Sequence, residues 1–369
     1  MKEMCMAECS RDSIKPQDST EHIATSISNV CIAEKNLNDI LMLVVNHKAP
    51  HKAVVVFDLA CELAQTLTQA YKRCLPEAQF IDFSKNTPEA VLAVFADLVA
   101  SDLVVLVQST NFRLEAFRIR VELFKRGLKV IEHPHLSRMV DEEVRYYLDS
   151  LAYDAKYFRG VGNRLKVIID QAQYGCLDSG GNQFPDARLV FGSAFESAKL
   201  NVGDYSEMQN VGGQFPIGEV FTEALDLESV HGRVRIFAFG DTHYRVNRPA
   251  KPITLIIEKG QVVTTEDSTP EFDAVLANIR ADEQVVWLRE IGFGLNRAFS
   301  KDRSVSDIGS FERMCGVHLS LGAKHGVYGK PNFKRGDGKY HIDVFAVTEQ
   351  VTLGEQVIYR DGAWCAALE

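Results

Sequence analysis

The chain has 369 residues, which is long enough to bury the cores of two domains. Hydrophobic residues make up 46% of the sequence and charged residues 25%, a balance that is typical of soluble globular proteins and excludes disordered or fibrous ones. The formal net charge of -9 argues against a nucleic-acid partner, because phosphate binding requires a basic surface.

The N-terminal stretch MKEMCMAECSRDSIKPQDSTEH contains no apolar run as long as a signal-peptide core, and no later stretch is long enough to span a membrane. The 8 cysteines are scattered and include no CxxC pair. The sequence therefore predicts neither a disulfide framework nor a thiolate zinc site. We expect a cytoplasmic protein with reduced thiols and no membrane partner.

Apolar runs that alternate with helical patterns occupy the N-terminal part of the chain. The predicted strands are AVVVF at 53–57, LVVLVQS at 103–109 and KVIEHP at 129–134, and the predicted helices lie at 62–75 and 113–127. Gly127 stands where a C-cap would end the second helix. Strands that alternate with helices predict a parallel sheet with covering helices. The segment contains neither GxGxxG nor GxxxxGK[ST], so the sequence gives no support for a nucleotide site.

From about residue 164 the pattern changes to short alternating stretches separated by Gly, Asp and Asn. The predicted strands are RLKVIID at 164–170, RVRIFAFG at 233–240, ITLIIEKGQVV at 253–263 and EQVIYRDG at 355–362, and only TPEFDAVLANIRAD at 269–282 has a helical period. EKGQVV and YRDGAW resemble hairpin turns. We interpret the chain as an N-terminal extension (1–30), an α/β domain (31–163) and a mainly antiparallel β domain (164–369).

The stretch HIDVF at 341–345 carries two side chains of the kind that bind metals. His341 and Asp343 are two positions apart, so in a strand they would project from the same face. Three upstream stretches also interrupt an apolar or Gly-rich run with an acid or an imidazole: FPIGEVFTEALD with Glu219, VVWLREIGFGLN with Glu290, and FERMCGVHLSLG with Glu312 and His318. A charge on a buried strand is costly unless it is paired or bound to a metal. A shared cation would explain all four stretches.

The number of carboxylates favours two divalent cations. Glu219, Glu290 and Asp343 would contribute three negative charges and Glu312 a fourth, whereas histidine ligands are neutral. Carboxylate and imidazole ligands without thiolate favour zinc, cobalt, manganese or iron. Each residue also has a structural alternative, since His318 alone would more often be a satisfied core residue. Glu219 or Glu290 alone could pair with an arginine, such as Arg289, Arg233 or Arg235.

Two other pairs of histidines have less support as functional residues. His133 and His135 have no acid-rich partner nearby in the sequence, and we expect them to be structural. His231 and His243 follow Glu219 more closely and could line a pocket.

Several stretches resemble, in order and approximate spacing, the signatures of the thermophilic metalloaminopeptidase family, the aminopeptidase T and aminopeptidase S type. They are GEVFTEALD, REIGFGLN, GVHLSLG, and HIDVF followed by VTLGEQVIYRDG. The resemblance covers about residues 200–362. It implies a leucyl aminopeptidase-like dinuclear peptidase, which is a homodimer in that family. It also implies that two metal ions are bound by Glu219, Glu290, His318, His341 and Asp343.

Two positions depart from the family pattern. The family has a further metal-binding Glu five residues before the first His, whereas Glu312 stands six before His318. It has a catalytic Tyr seven residues after that His, where this chain has His325, and Tyr328 is displaced. By resemblance, Glu312, His325 and Tyr328 are the candidate catalytic residues.

The first functional hypothesis is an aminopeptidase that removes N-terminal residues from peptides with a water activated by two metals. Glu312 or Glu219 could accept the proton of this water, and Glu312 is the better candidate, because a bridging carboxylate has both oxygens engaged. The second is a mononuclear iron(II) ring-cleaving dioxygenase of a related fold, with His318, His341 and Asp343 as a 2-His-1-carboxylate triad. The third is a non-catalytic relative. The expected partner is a peptide or another small-molecule substrate.

Overall fold

The computed structural model describes residues 16–365 except 113, 115–118, 331–332 and 334–337. Its helices are α1 Pro16–Asp39, α2 Glu62–Cys74, α3 Pro88–Ala96, α4 Ile119–Lys125, α5 Glu142–Ser150, α6 Ala155–Gln171, α7 Pro270–Glu283 and α8 Ile308–Phe311. A π-helical turn at Ile40–Val44 continues α1.

The first strands along the chain are β1 Ala53–Phe57, β2 Gln79–Asp82, β3 Leu103–Val107, β4 Lys129–His133, β5 Gly175–Asp178, β6 Arg188–Phe191, β7 Lys199–Asn201, β8 Gly212–Gln214 and β9 Glu219–Thr222. They are followed by β10 Val230–Gly240, β11 Val246–Asn247, β12 Ile253–Glu258, β13 Gln261–Glu266, β14 Leu288–Gly294, β15 Gly316–Leu321, β16 Ile342–Ala346, β17 Gln350–Leu353, β18 Gln356–Arg360 and β19 Ala363–Trp364.

A parallel sheet forms the N-terminal part of the fold, as the sequence predicts. Its strand order is β2-β1-β3-β4-β8, and all neighbours are parallel. Alternate residues of β1 and β3 belong to two different cores. Val55 and Val105 pack with helices α1, α2, α5 and α6, whereas Val54 and Val104 pack with α3 and α4. The sheet is therefore covered by helices on both faces, which explains why its strands are apolar throughout.

The predicted helix at 113–127 is confirmed in part, as α4 at Ile119–Lys125. Leu114 is not helical, and residues 113 and 115–118 lie outside the described residues. Gly127 adopts a φ of 72°, in the left-handed region that ends helices, and its N–H donates to Phe124 O at 2.9 Å. The predicted C-cap is confirmed.

The prediction of a strand at 164–170 is wrong, because this segment lies inside α6. Asp154 caps the helix by accepting a hydrogen bond from Tyr157 N–H. Phe158, Val161, Leu165 and Ile169 are buried at helical spacing. This apolar stripe is longer than the alternation at 164–170, and it determines the helix although those seven residues alone resemble a strand.

Fourteen strands of the described residues form a second, antiparallel sheet, which confirms the mainly β character of the C-terminal part. Its strand order is β19-β18-β17-β5-β6-β10-β16-β15-β14-β9-β7, and β11 and the β12–β13 hairpin attach to β10. Both predicted hairpin turns are present. Lys259–Gly260 and Asp361–Gly362 each have two consecutive positive φ angles, as type I′ turns require.

The division into domains stays a prediction. Helix α6 spans the boundary proposed at residues 163 and 164, and β8 pairs with β4 of the parallel sheet although it comes later in the chain. Among the helices of the described residues, none has the length and apolarity needed to cross a membrane. The cysteines with described side chains are free thiols.

Candidate metal centre

Strands β14 and β16, which flank β15, place two acidic residues in one row across the large sheet. Glu290 of β14 is opposite Ser320 of β15, and Ser320 is opposite Asp343 of β16. On the other side of β14, Glu219 at the start of β9 is opposite Gly294, which shares a face with Glu290 because they are four residues apart in one strand. The pairing register thus brings Glu219, Glu290 and Asp343 to one face, and all three are buried.

The His318 side chain lies on this face, next to a glycine of the neighbouring strand. It is opposite Gly292 in the register, and its ring lies over that residue. A Cβ added at Gly292 would stand only 2.0 Å from His318 Cε1 and 2.2 Å from Nε2. The ring can therefore occupy its position between Glu290 and Glu219 because residue 292 has no side chain.

Glu219, Glu290 and His318 bring one ligand atom each within 4.8 Å of one another. His318 Nε2 lies 3.3 Å from Glu219 Oε1 and 3.6 Å from Glu290 Oε1. Metal–ligand bonds of about 2.0–2.2 Å in a tetrahedral zinc site give ligand–ligand separations of about 3.3–3.6 Å. The two distances from His318 Nε2 to the carboxylate oxygens fall in this range, so these three side chains could hold one cation.

His341 and Asp343 form a neighbouring pair, as the HxD spacing predicts. His341 stands just before β16, and its Nε2 lies 3.2 Å from Asp343 Oδ1. The other ring nitrogen, Nδ1, lies 3.2 Å from the carbonyl oxygen of Lys324. A proton on Nδ1 would donate to that carbonyl and leave the Nε2 lone pair facing Asp343, which is how metal-binding histidines are commonly oriented.

Several polar atoms of the cluster are buried without a hydrogen-bond partner among the described residues. They include His318 Nε2 and Asp343 Oδ1, whose contacts with charged neighbours lack hydrogen-bond geometry. Buried polar atoms are rarely left unpartnered, and each such case needs an explanation. A carboxylate and imidazole donor set around these atoms fits divalent cations such as zinc, cobalt or manganese.

The electrostatics of the cluster support the same fit. Burial lowers the pKa of His318, but Glu219 and Glu290 outweigh it and raise that pKa well above its usual value. Burial also lowers the pKa of His341, and Asp343 outweighs it and raises the pKa to about 10. Burial raises the pKa of Glu290, but His318 and His325 hold it well below its usual range. The carboxylates of the cluster thus favour positive charge at both histidine positions.

Glu312 lies beside these residues, at the C-terminal end of α8. Glu312 Oε1 is 2.6 Å from Arg313 Nη1, and Arg313 Nη1 is also 2.6 Å from Glu219 Oε2. Burial raises the pKa of Glu312 to about 8 and the Arg313 guanidinium opposes the shift, while Glu219 and Asp343 add to it. A carboxyl group with a pKa near neutrality is suited to exchange a proton during turnover.

His325 contacts the cluster through Glu290. Its Nε2 lies 2.8 Å from Glu290 Oε2, although the contact is bent away from hydrogen-bond geometry. Its Nδ1 accepts hydrogen bonds from the N–H groups of Val327 and Tyr328 at 3.2 and 3.3 Å. Since Nδ1 is an acceptor, a neutral ring carries its proton on Nε2. The nitrogen that carries the proton of the neutral ring therefore faces Glu290.

Tyr328 directs its hydroxyl group elsewhere. The hydroxyl donates to Ser197 O at 2.8 Å and lies 3.3 Å from Phe221 O. In this arrangement its single proton is used by the backbone, so Tyr328 braces the segment that carries His325.

A second buried ionic cluster lies behind the same segment. Arg289 Nε is 2.6 Å from Glu223 Oε2, and both side chains are almost fully buried. The Arg289 guanidinium also donates to Ala323 O at 2.7 Å and to Tyr328 O at 3.3 Å. Lys330 Nζ is 3.2 Å from Glu223 Oε1. Arg289 thus pairs with Glu223 and not with the acids of the metal cluster, and it contacts the segment on both sides of His325.

We expect Arg289→Leu to lower the free energy of unfolding by about 3–5 kcal/mol, because it leaves the Glu223 carboxylate buried without its main partner. Arg233→Leu is the matched control, since Arg233 forms an exposed pair with Glu266 and its loss should cost no more than about 1 kcal/mol. Urea unfolding of the two variants measures the difference. Equal losses would contradict the importance given to the buried pair.

Three other histidines considered in the sequence make contacts outside the cluster or lie exposed. His133 Nε2 and Nδ1 are each 2.8 Å from a tyrosine hydroxyl, of Tyr71 and Tyr147, and burial lowers the pKa of His133 to about 3. It is a satisfied core residue. Exposed His231 bonds to Ser229 O at 3.0 Å, and His243 lies in an exposed turn. Sequence reasoning did not assign Arg313, which the charged pair Glu312–Arg313 before an apolar strand could have indicated.

The parallel sheet and the large antiparallel sheet together make a mixed α/β fold of the aminopeptidase-like kind. The solved structure of wild-type AmpT from Thermus thermophilus, an aminopeptidase T, is similar, with a TM-score of 0.54 at 13% sequence identity. The similarity covers 90% of this chain and 98% of that chain. No protein-family model and no curated protein matches the sequence. At this identity the likeness concerns the fold.

Proposed function

We propose that the protein is a metal-dependent hydrolase of the aminopeptidase type. The observation that carries the proposal is the buried group of Glu219, Glu290 and His318, whose ligand atoms have the mutual spacing of a cation site. The AmpT-like fold supports the same class of reaction. The pair of His341 and Asp343 supports a second cation, and a homodimer stays a prediction.

In this proposal Glu219, Glu290 and His318 hold one cation, and His341 and Asp343 contribute to the other. Two divalent cations at such a centre would acidify a water molecule and polarise the scissile carbonyl. The protein supplies the remaining functions. Arg313 bonds to one oxygen of Glu219 and leaves the other, Oε1, facing His318. The orientation of that carboxylate is thereby fixed.

Glu312 is the proposed base. It contacts Arg313 and none of the ligand atoms named above, so its carboxylate remains able to accept a proton from water. We infer that His325 orients Glu290, because its Nε2 lies 2.8 Å from Glu290 Oε2.

A cavity of about 390 Å³ beside the centre can admit a substrate. His341 lines it, together with Lys324, Tyr340 and Tyr244. It is therefore open to one of the proposed ligands. A cavity of this size accommodates a small peptide or part of one.

The decisive experiment combines metal analysis with activity. The protein is reconstituted with zinc, cobalt or manganese, its metal content is measured, and amine release from aminoacyl anilides is followed. We expect two equivalents of metal and release of the amine. Iron(II)-dependent oxygen consumption on dihydroxypyridines, without anilide hydrolysis, would replace this proposal by the oxygenase. The geometry argues against that outcome, because Glu219 and Glu290, which the triad does not use, are the residues grouped with His318.

We expect Glu312→Gln to lower kcat by about 10²–10⁴-fold while the metal content stays at the wild-type value. The amide keeps the shape of the side chain but cannot accept the proton from water. Metal analysis and anilide kinetics of the same preparation test both parts. Wild-type turnover in this variant would remove Glu312 from the mechanism.

We expect His325→Ala to lower metal affinity or kcat by about 10–100-fold, because Glu290 loses the donor that orients it. His325→Tyr should retain part of the activity if the phenol reaches Glu290. Rate profiles of the three proteins from about pH 5 to about pH 9 test this. Three superimposable profiles would show that His325 takes no part.

A further inference from the structure

The chain between β15 and β16 carries a histidine near each of its ends. We call the part that contains Ala323, Lys324 and His325 the outgoing arm, and the part that contains Lys339, Tyr340 and His341 the returning arm. The two arms are joined at their base. Lys324 N–H donates to Tyr340 O at 3.0 Å, and His341 Nδ1 lies 3.2 Å from Lys324 O. The positions of both histidines therefore depend on what holds this base in place.

One carboxylate, that of Glu283, binds both arms. Its Oε2 accepts a hydrogen bond from Ala323 N–H at 2.7 Å, on the outgoing arm. Its Oε1 accepts from Lys339 N–H at 2.6 Å and from Tyr340 N–H at 2.9 Å, on the returning arm. Hydrogen bonds from backbone N–H groups to a carboxylate are charge-assisted and roughly twice as strong as neutral ones.

The position of Glu283 is set by the packing of α7. The buried residues of this helix, Phe272, Val275, Leu276 and Ile279, form a stripe at helical spacing. Glu283 follows Ile279 by four residues, so it lies on the same side of the helix, half-buried, at the last residue of α7. Thr269 caps the first turn of the helix by accepting from Phe272 N–H, which fixes its start. The carboxylate is thus presented by a rigid element and not by a loop.

We propose that Glu283 is a positioning residue of the proposed metal centre, and that it fixes His325 and His341 together by holding the two arms at one point. The proposal deepens the proposed function, because it assumes that these two histidines act there. It assigns a role to a residue outside the four stretches that carry the candidate ligands. Its loss should release both arms at once.

Asp282 provides a matched control. It is the adjacent carboxylate and binds the same returning arm, but through side chains: its Oδ1 is 2.7 Å from Lys339 Nζ and its Oδ2 is 2.7 Å from Tyr340 Oη. It makes no bond to the backbone of either arm among the described hydrogen bonds. Asp282→Asn therefore removes the same charge from the same end of α7 without releasing the arms.

The test compares the wild type with Glu283→Ala, Glu283→Gln and Asp282→Asn. In the metal-free full-length proteins, the rates at which diethylpyrocarbonate modifies His325 and His341 are measured by peptide mass spectrometry. In the same proteins, affinity for Co²⁺ is measured by titration. We expect Glu283→Ala to increase both modification rates several-fold and to weaken Co²⁺ binding by about 10–100-fold. Asp282→Asn should match the wild type.

Glu283→Gln should give an intermediate result, because an amide has one acceptor oxygen and can satisfy only one of the two arms. Unchanged modification and Co²⁺ affinity in Glu283→Ala would overturn the proposal, and so would equal changes in Glu283→Ala and Asp282→Asn. If the wild type hydrolyses no anilide or binds no second cation, the proposed function fails. The modification rates of the metal-free proteins then still decide whether Glu283 positions the histidines.

Discussion

Glu290→Gln is expected to reduce the metal content of the protein from two equivalents to one and to lower kcat/KM by about 10³-fold. Glu290 is one of three residues whose ligand atoms are grouped around one cation position, and its amide is a much weaker ligand than its carboxylate. The loss of a catalytic cation removes several kcal/mol of transition-state stabilisation, which corresponds to a factor of this order. Elemental analysis after reconstitution and anilide kinetics are the measurements.

The control for this experiment is Glu258→Gln, which removes a carboxylate from the exposed end of β12. It should keep both the metal content and the activity of the wild type. One equivalent of metal in the wild type, unchanged in Glu290→Gln, would refute the dinuclear centre and favour the mononuclear alternative.

Gly292→Ala is expected to lower kcat/KM by about 10²-fold and to weaken metal binding, although it adds only one methyl group. The new Cβ would stand 2.0 Å from the His318 ring, so the ring or the strand must shift. The ring is buried against the sheet, and a shift of about 1 Å at a reacting centre can cost about this factor. Overpacking should also lower the free energy of unfolding by about 1–3 kcal/mol.

Gly160→Ala serves as the comparison for this change. Gly160 lies inside α6, and a Cβ there would meet no atom within 4 Å. The substitution should stabilise the protein by up to about 1 kcal/mol, because alanine has the higher helix propensity. Retention of full activity and metal affinity by Gly292→Ala would mean that the glycine does not make room for His318.

The candidate ligands could be found from the sequence because each acid or imidazole interrupts an apolar strand. Alternation in a strand also predicted that His341 and Asp343 lie together, and they are 3.2 Å apart. The pairing of the strands could not be read in the same way. Glu290 and Asp343 lie in one row because β15 separates β14 from β16, and that register depends on tertiary packing. The assignment of the five ligands to two cations stays a prediction.

Contacts between distant side chains were the other part that sequence reasoning missed. Arg289 seemed available to the candidate metal-binding acids, but it pairs with Glu223, which follows β9 directly and lies 66 residues earlier in the chain. Arg313 and Glu219, which are hydrogen-bonded, are likewise 94 residues apart in the sequence. Local patterns carry no information on such pairs. The strand predicted at 164–170 was wrong because the pattern was judged over seven residues, whereas the buried stripe that makes this segment helical runs along the whole of α6.

Strand β16 has a consequence for how the protein is made. It lies between β10 and β15 in the large sheet, yet it follows them in the chain by many residues. During synthesis, β10 and β15 each present an unpaired edge until β16 has left the ribosome, and open edges invite pairing with other chains. The strand that closes this gap also carries Asp343. β16 therefore closes the sheet and brings this carboxylate to its place in a single late step of folding. A nascent chain that stops before residue 342 has an open sheet and lacks Asp343.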